Sequence, residues 1–80
     1  IEWVQADGYQ VWLHTAPRAW LLRERMHRLE ARLAAAGFVR VHRSAMVRAS
    51  AVRTLDTGGA EAMLTLASGA TVRVARDRLG

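Results

Sequence analysis

The sequence predicts a mainly β fold with one helix, built from several small antiparallel sheets. Short apolar runs alternate with polar residues at period two along most of the chain, and glycine-containing turns separate them. One stretch, residues 25–36, has apolar residues at helical spacing instead. The 80-residue chain contains no cysteine, so its core must come from apolar burial without disulfides.

The first part of the chain predicts a β-hairpin and a third strand. Residues 1–5 and 9–14 form the hairpin, because the Asp7-Gly8 pair between them is a turn signal. Pro17, the only proline, marks the next turn, and residues 19–22 form the third strand. In the second strand Tyr9, Val11 and Leu13 alternate with polar residues and are expected to face the core, while Trp12 on the other face is either packed by a neighbour or partly exposed.

Residues 25–36 predict the helix, which we interpret as scaffold. No preferred N-cap residue precedes it, so its first turn is expected to fray, and Gly37 is placed to take the left-handed conformation that ends it. Glu24 and Glu30 interrupt its basic face, which argues against a recognition helix. Apolar residues recur at intervals of four, three and four on one stripe: Leu22, Met26, Leu29 and Leu33.

The stretch 38–53 combines apolar residues with arginines and contains no acid. We expect a strand from Phe38 to Val41, anchored further on by Met46-Val47 and Val52, that delivers basic side chains to a surface. Arginines held in this way are good ligands for phosphate and guanine, because the planar guanidinium donates two parallel hydrogen bonds.

The rest of the chain predicts a second hairpin, a final strand and a short helical turn. No internal repeat or linker is present, so we expect one domain over residues 1–80. Because the chain begins with isoleucine and ends with glycine, we expect it to be cut from a longer polypeptide. The predicted strands are 52–55, 60–66 and 71–75, with turns at 56–59 and 67–70 and the helical turn at 76–78.

The charge of the chain points to a polyanionic partner. Twelve basic residues, all arginine, stand against seven acids, which gives a net charge of +5, so nucleic acid is the first partner to expect. The coding preference of a GC-rich genome accounts for the absence of lysine, but not for the clustering. Between Glu30 and Asp56 no acid occurs, whereas five arginines do: Arg32, Arg40, Arg43, Arg48 and Arg53.

The sequence gives little support to catalysis, metal binding or membrane insertion. The histidines lack the spacing of metal ligands and the serines lack a nucleophile elbow, so we expect no enzyme, no metal and no cofactor. No apolar run approaches the ~18 residues of a membrane span, and no signal peptide is recognisable, so we expect a cytoplasmic protein without membrane contact. The three tryptophans are interpreted as core: Trp3, Trp12 and Trp20.

The segment Phe38-Val39-Arg40-Val41-His42-Arg43-Ser44 carries a family resemblance. Followed by Val47, Val52, a hairpin, Gly69 and a strand ending in Arg76, it resembles the LytTR family of bacterial DNA-binding domains, whose signature is similar to F-x-R-x-H-R-S-x-x-V-N. The opening hairpin, the L-R-E-R-M-x-x-L-E helix and the following G-F occur in the family order, so the resemblance covers nearly the whole chain.

The resemblance implies an elongated β-rich fold in which loops, rather than a recognition helix, enter successive major grooves of double-stranded DNA. It also implies the output domain of a response regulator in a two-component system. Such a domain would regulate transcription by binding promoters at paired repeats, as a dimer on DNA, with a regulatory domain elsewhere in the full chain.

The resemblance also suggests the DNA-binding residues. Arg43 is expected to contact phosphate or brace its loop, and Arg48 and Arg76 are expected to read bases, with room to extend between small neighbours. Arg48 stands where the family commonly has asparagine, and Ala75 where it has serine, so the DNA sequence recognised does not follow. The predicted DNA-binding set is Tyr9, Gln10, Arg40, His42, Arg43, Ser44, Arg48, Arg76 and Arg78.

Two other functions stay open from the residues alone. The first is a β-rich protein-interaction or oligomerisation domain in which the central arginines are only a solvated basic face. The second is RNA binding, which would need exposed aromatic side chains among the arginines. Tyr9 is the only plausible residue of that kind.

Overall fold

The computed structural model describes residues 1–15 and 18–75. Within them it confirms a mainly β fold with one α-helix. The predicted helical turn at 76–78 lies outside the described residues. The elements are β1 (Trp3–Asp7), β2 (Gln10–His14), β3 (Ala19–Leu22), α1 (Met26–Ala35), β4 (Phe38–His42), β5 (Ala45–Arg48), a 3-10 turn (Ala49–Ala51), β6 (Val52–Asp56), β7 (Ala62–Leu66) and β8 (Thr71–Val74).

The strands form two antiparallel sheets in an elongated molecule. The large sheet has the order β3-β2-β1-β5-β4, and the small sheet has the order β6-β7-β8. Val4 of β1 lies opposite Leu13 of β2 on one side and Met46 of β5 on the other. The molecule measures 35 × 27 × 22 Å along its principal axes. The expectation of several small antiparallel sheets is therefore confirmed.

Strand β5 contributes side chains to both hydrophobic clusters of the core, because successive side chains of a strand point to opposite faces. Met46 packs in the cluster under α1, with Val4, Val11, Met26 and Phe38. Val47 packs in the cluster between the two sheets. The order of layers is therefore helix, large sheet, small sheet. The second cluster also contains Val41, Ala45, Ala62, Leu64, Leu66, Val72 and Val74.

The helix forms as predicted, with three of the four predicted stripe residues on it. Arg25 is the N-cap residue and makes no side-chain cap hydrogen bond, while Gly37 has a φ of +94° just beyond the helix. Met26 is buried, and Leu29 and Leu33 pack half-buried against the same cluster. Leu22, the first residue of the predicted stripe, lies in β3 and not in the helix.

The stretch 38–53 does not extend as a single basic strand. It folds back at Arg43-Ser44, so that β4 and β5 form an antiparallel hairpin with a register irregularity between Arg40 and His42. The sequence contains no glycine, proline or asparagine at this turn. Side-chain hydrogen bonds close it instead, and the only local signal for the turn is Ser44, a weaker turn-forming residue than glycine or asparagine.

Two predictions about aromatic residues were wrong. Trp20 is 55% exposed, because it lies in β3, an edge strand whose four residues are all exposed. Tyr9 is 75% exposed instead of facing the core, because it belongs to the β1–β2 turn, where Gly8 has a φ of +63°. Trp3 and Trp12 are half-buried. Among the described residues, no helix is long and apolar enough to cross a membrane.

Candidate nucleic-acid interface

Two hairpin turns project from the same end of the large sheet. Since β1 and β5 are antiparallel, with Gln5 opposite Ala45, the end of β1 lies beside the start of β5. The N–H of Ala6 donates to the carbonyl oxygen of Ser44 over 2.7 Å and ties the two turns together. We call residues 7–10 and 42–44 together the turn end.

Arg40 braces the turn end from inside. Its Nη1 donates to Glu30 Oε1 over 2.8 Å, its Nε to the carbonyl oxygen of His42 over 2.8 Å, and its Nη2 to the carbonyl oxygen of Arg43. The Arg40 side chain is only 17% exposed. Three hydrogen bonds thus hold this guanidinium against the protein, and it joins helix α1 to the β4–β5 turn.

His42 and Ser44 close the same turn. The N–H of Ser44 donates to His42 Nδ1 over 3.2 Å, and the Ser44 hydroxyl lies 2.8 Å from the same nitrogen. Because a backbone N–H can only donate, Nδ1 acts as an acceptor, which places the proton of neutral His42 on Nε2. Both side chains are half-buried, so their clearest role is to shape the turn.

The exposed side chains of the turn end are those of Asp7, Tyr9 and Arg43, with Gln10 half-buried beside them. The start of α1 also reaches this region, since the guanidinium carbon of Arg25 lies 4.4 Å from the centre of the Tyr9 ring. The sequence interpretation of the helix as scaffold did not include Arg25 in the predicted set. The first helical turn contains no acid, although acids stabilise that position.

Arg48 lies at the opposite end of β5. Its N–H donates to the carbonyl oxygen of Glu2 over 2.9 Å, and its Nε donates to that of Ile1 over 2.8 Å. The guanidinium carbon lies 4.7 Å from the centre of the Phe38 ring. The side chain is held on the protein rather than extended, and strand geometry puts it roughly 10 Å from the turn end.

The predicted set therefore divides into two groups. Tyr9, Gln10, Arg40, His42, Arg43 and Ser44 come together at the turn end, whereas Arg48 stands apart. Arg76 and Arg78 lie outside the described residues. The last described residue, Ala75, donates its N–H to the carbonyl oxygen of Val41 over 2.8 Å.

Comparison with known proteins shows the family and the fold of the chain. The family model of the LytTr DNA-binding domain matches residues 1–80. The chain belongs to the LytTR family. A solved LytTr DNA-binding domain of a response regulator from Bacillus cereus superposes with a TM-score of 0.84 at 16% identity, over 98% of this chain and 72% of that chain. At that identity the likeness establishes the fold alone. Comparison with curated proteins gives no match.

The LytTR family is a family of DNA-binding domains and not a class of enzymes. In this LytTR chain, Arg40, His42 and Ser44 of the motif that carries the resemblance all contribute to the β4–β5 turn. Among residues 1–15 and 18–75, no three His, Asp or Glu side chains cluster closely enough to hold a metal ion. The arrangement offers positive charge and hydrogen-bond donors on projecting turns.

Proposed function

We propose that this LytTR domain binds double-stranded DNA sequence-specifically, with its loops in major grooves. The observation that carries the proposal is the turn end, where two tied hairpin turns present Tyr9 and Arg43 to solvent. A hairpin is a two-stranded ribbon, and the major groove, about 12 Å wide, admits such a ribbon. The braces from Arg40, His42 and Ser44 would keep the turn in shape before DNA arrives.

The separate position of Arg48 suits a second contact on the same duplex. Arg48 lies roughly 10 Å from the turn end along β5, so it would contact the duplex beside the groove that the turn end enters. We propose Arg48, together with Arg76 from the family resemblance, as base readers, and Arg43 and Arg78 as contacts to the backbone.

The family, and the response regulator whose domain shares the fold, support a proposal for the biological setting. We propose that the chain is the output domain of a bacterial transcription regulator in a two-component system. A regulatory domain elsewhere in a longer chain would control it. The domain would act in the cytoplasm and bind paired repeats in promoters as a dimer.

A mobility-shift titration tests DNA binding directly. Duplexes from the promoter region beside the gene are compared with scrambled duplexes of the same composition, and with single-stranded RNA, over a series of salt concentrations. We expect a promoter duplex to bind at least 10³-fold more tightly than its scrambled control. Equal affinity for both duplexes would contradict sequence-specific binding, and preference for the RNA would favour the RNA alternative.

One observation favours a second function, protein interaction or oligomerisation. Edge strand β3 exposes Trp20 (55%), Leu21 (45%) and Leu22 (39%), and exposed edges pair readily with other strands. Sedimentation velocity of the parent and of a Trp20→Ser, Leu22→Ser variant tests this function. If the parent self-associates, the variant does not, and the parent binds no duplex, protein interaction is favoured over DNA binding.

A further inference from the structure

A basic groove lies between the first hairpin turn, the start of α1 and the β4–β5 turn. Its lining includes Tyr9, Arg25, His27, Arg40 and Arg43, and no acidic residue. We infer that this groove binds a phosphate of the DNA backbone, with Arg25 and Arg43 as its ligands and Tyr9 as the support that orients Arg25. The inference rests on the proposed DNA binding and adds a contact from the helix.

The two arginines that face the groove have guanidinium groups available for an anion. Arg25 and Arg43 are exposed, and among the described residues neither side chain forms an ion pair or a hydrogen bond. Arg40 differs, because Glu30 and the turn carbonyls already occupy its donors. Arg40 therefore acts as the brace, and the binding charges come from Arg25 and Arg43.

Charge at the start of α1 gives the second argument. The N-terminus of a helix carries a partial positive charge, so basic side chains there are unfavourable and acidic ones favourable. Here Arg25, His27 and Arg28 lie at that end. Arg28 is paired with Glu24 at 4.0 Å, whereas Arg25 has no acidic partner among the described residues, and no acid occurs in the first turn. The N-cap residue makes no side-chain cap hydrogen bond. A bound phosphate would relieve both the repulsion and the uncapped N–H groups.

Tyr9 gives Arg25 a defined direction. The guanidinium lies over the ring at 4.4 Å, a cation–π geometry that leaves the edge of the guanidinium free to donate hydrogen bonds. A flexible arginine would lose rotamer freedom on binding phosphate, whereas a stacked one has lost part of it already. The exposed aromatic ring at the turn is thus explained as a platform.

The test compares two variants of one helix that each lose one charge. Arg25→Gln removes a proposed ligand, whereas Arg32→Gln removes an exposed arginine outside the groove. Binding falls with salt, so the slope of log K against log salt is negative. Loss of one phosphate contact should reduce the magnitude of that slope by about 0.9 and weaken binding roughly five- to tenfold at ~0.1 M salt. We expect this for Arg25→Gln on promoter and scrambled duplexes alike, and a smaller change for Arg32→Gln.

The outcomes separate the inference from the proposed function. A parent domain that binds no duplex overturns both. A parent that binds, with Arg25→Gln and Arg32→Gln showing equal slopes, overturns the inference alone. A loss of affinity confined to the promoter duplex also overturns the inference, because losing a phosphate ligand weakens binding to all duplexes alike. Thermal melts of both variants show whether the fold is kept.

The role of Tyr9 has its own comparison. Tyr9→Phe keeps the ring under the guanidinium, whereas Tyr9→Leu removes it. We expect Tyr9→Leu to weaken binding more than Tyr9→Phe, and to add little further loss when Arg25 is already glutamine. Full additivity of Tyr9→Leu and Arg25→Gln would overturn the platform role.

Discussion

Replacement of Arg40 by methionine separates bracing from direct DNA contact. The substitution keeps a side chain of similar length but removes the three hydrogen bonds to Glu30 and to the carbonyl oxygens of His42 and Arg43. Hydrogen bonds to charged groups contribute about 1.5–3 kcal/mol each when well shielded. Glu30 is 40% exposed, however, so solvent screens the ion pair to about 1 kcal/mol or less.

The bond to the Arg43 carbonyl oxygen is exposed as well, so mainly the bond to the His42 carbonyl oxygen counts in full. We therefore expect Arg40→Met to lower the free energy of unfolding by about 2–4 kcal/mol, which corresponds to a Tm lower by roughly 8–30 °C for a domain of this size. The β4–β5 turn would lose its order, and affinity would fall on every duplex. The salt slope should stay at the parent value, because the charge of Arg40 neutralises Glu30 and not a phosphate.

Thermal melts and salt-dependent binding isotherms measure these effects. Glu30→Gln is the matched control, since it removes the ion pair but leaves Arg40 bonded to the turn carbonyls, and it should affect DNA affinity less. If the magnitude of the salt slope in Arg40→Met were smaller by about 0.9, Arg40 itself would contact a phosphate. Unchanged affinity in a well-folded variant would refute the brace.

Three further predictions concern the core, the pH dependence of stability and the division of roles among the arginines. Leu66→Ala should lower the free energy of unfolding by about 2–5 kcal/mol in denaturant melts, because Leu66 is only 1% exposed. Leu29 is half-buried, so Leu29→Ala should lower it less. An equal loss of stability in the two variants would contradict the layered core. The ring of His14 stacks on Trp3, and burial lowers its pKa below the ordinary value of 6.5. As pH falls, the unfolded chain therefore takes up a proton at a higher pH than the folded chain does. Tm should therefore fall as pH drops from 7.5 through 6.5 towards the folded pKa, and His14→Gln, melted across the same range, should lack that part of the decrease. Arg43→Ala should weaken all duplexes about equally, whereas Arg48→Ala should cost roughly 1–3 kcal/mol on the promoter duplex and much less on a scrambled one in matched isotherms; equal losses on both duplexes for Arg48→Ala would exclude base reading.

Local sequence signals were enough for most of the secondary structure. The third strand was predicted at residues 19–22 and is observed there, and the helix is observed one residue shorter at each end than predicted. The strand predicted over residues 60–66 is observed at Ala62–Leu66, and its alternation matches the burial of Ala62, Leu64 and Leu66. These features depend on side-chain period and on glycine at Gly37, which act within a few residues of the chain.

The aromatic residues and the β4–β5 turn needed the tertiary structure. Trp20 is exposed because β3 became an edge strand, and the position of a strand in its sheet depends on pairing between segments far apart in sequence. The turn at Arg43-Ser44 depends on bonds from Arg40 and from the His42 side chain. Such bonds form only when the backbone already brings their partners together.

The clustering of arginines indicated a DNA partner, and the motif around His42 indicated the LytTR family. Both signals consist of residue types and their spacing, which the sequence shows directly. Only the three-dimensional arrangement assigned different positions to similar arginines. Arg40 is bonded to Glu30, Arg48 rests on Phe38, and Arg25 lies over Tyr9. Charge alone is the same for each arginine, so the difference between a brace and an available ligand comes from which neighbours the fold places beside each guanidinium.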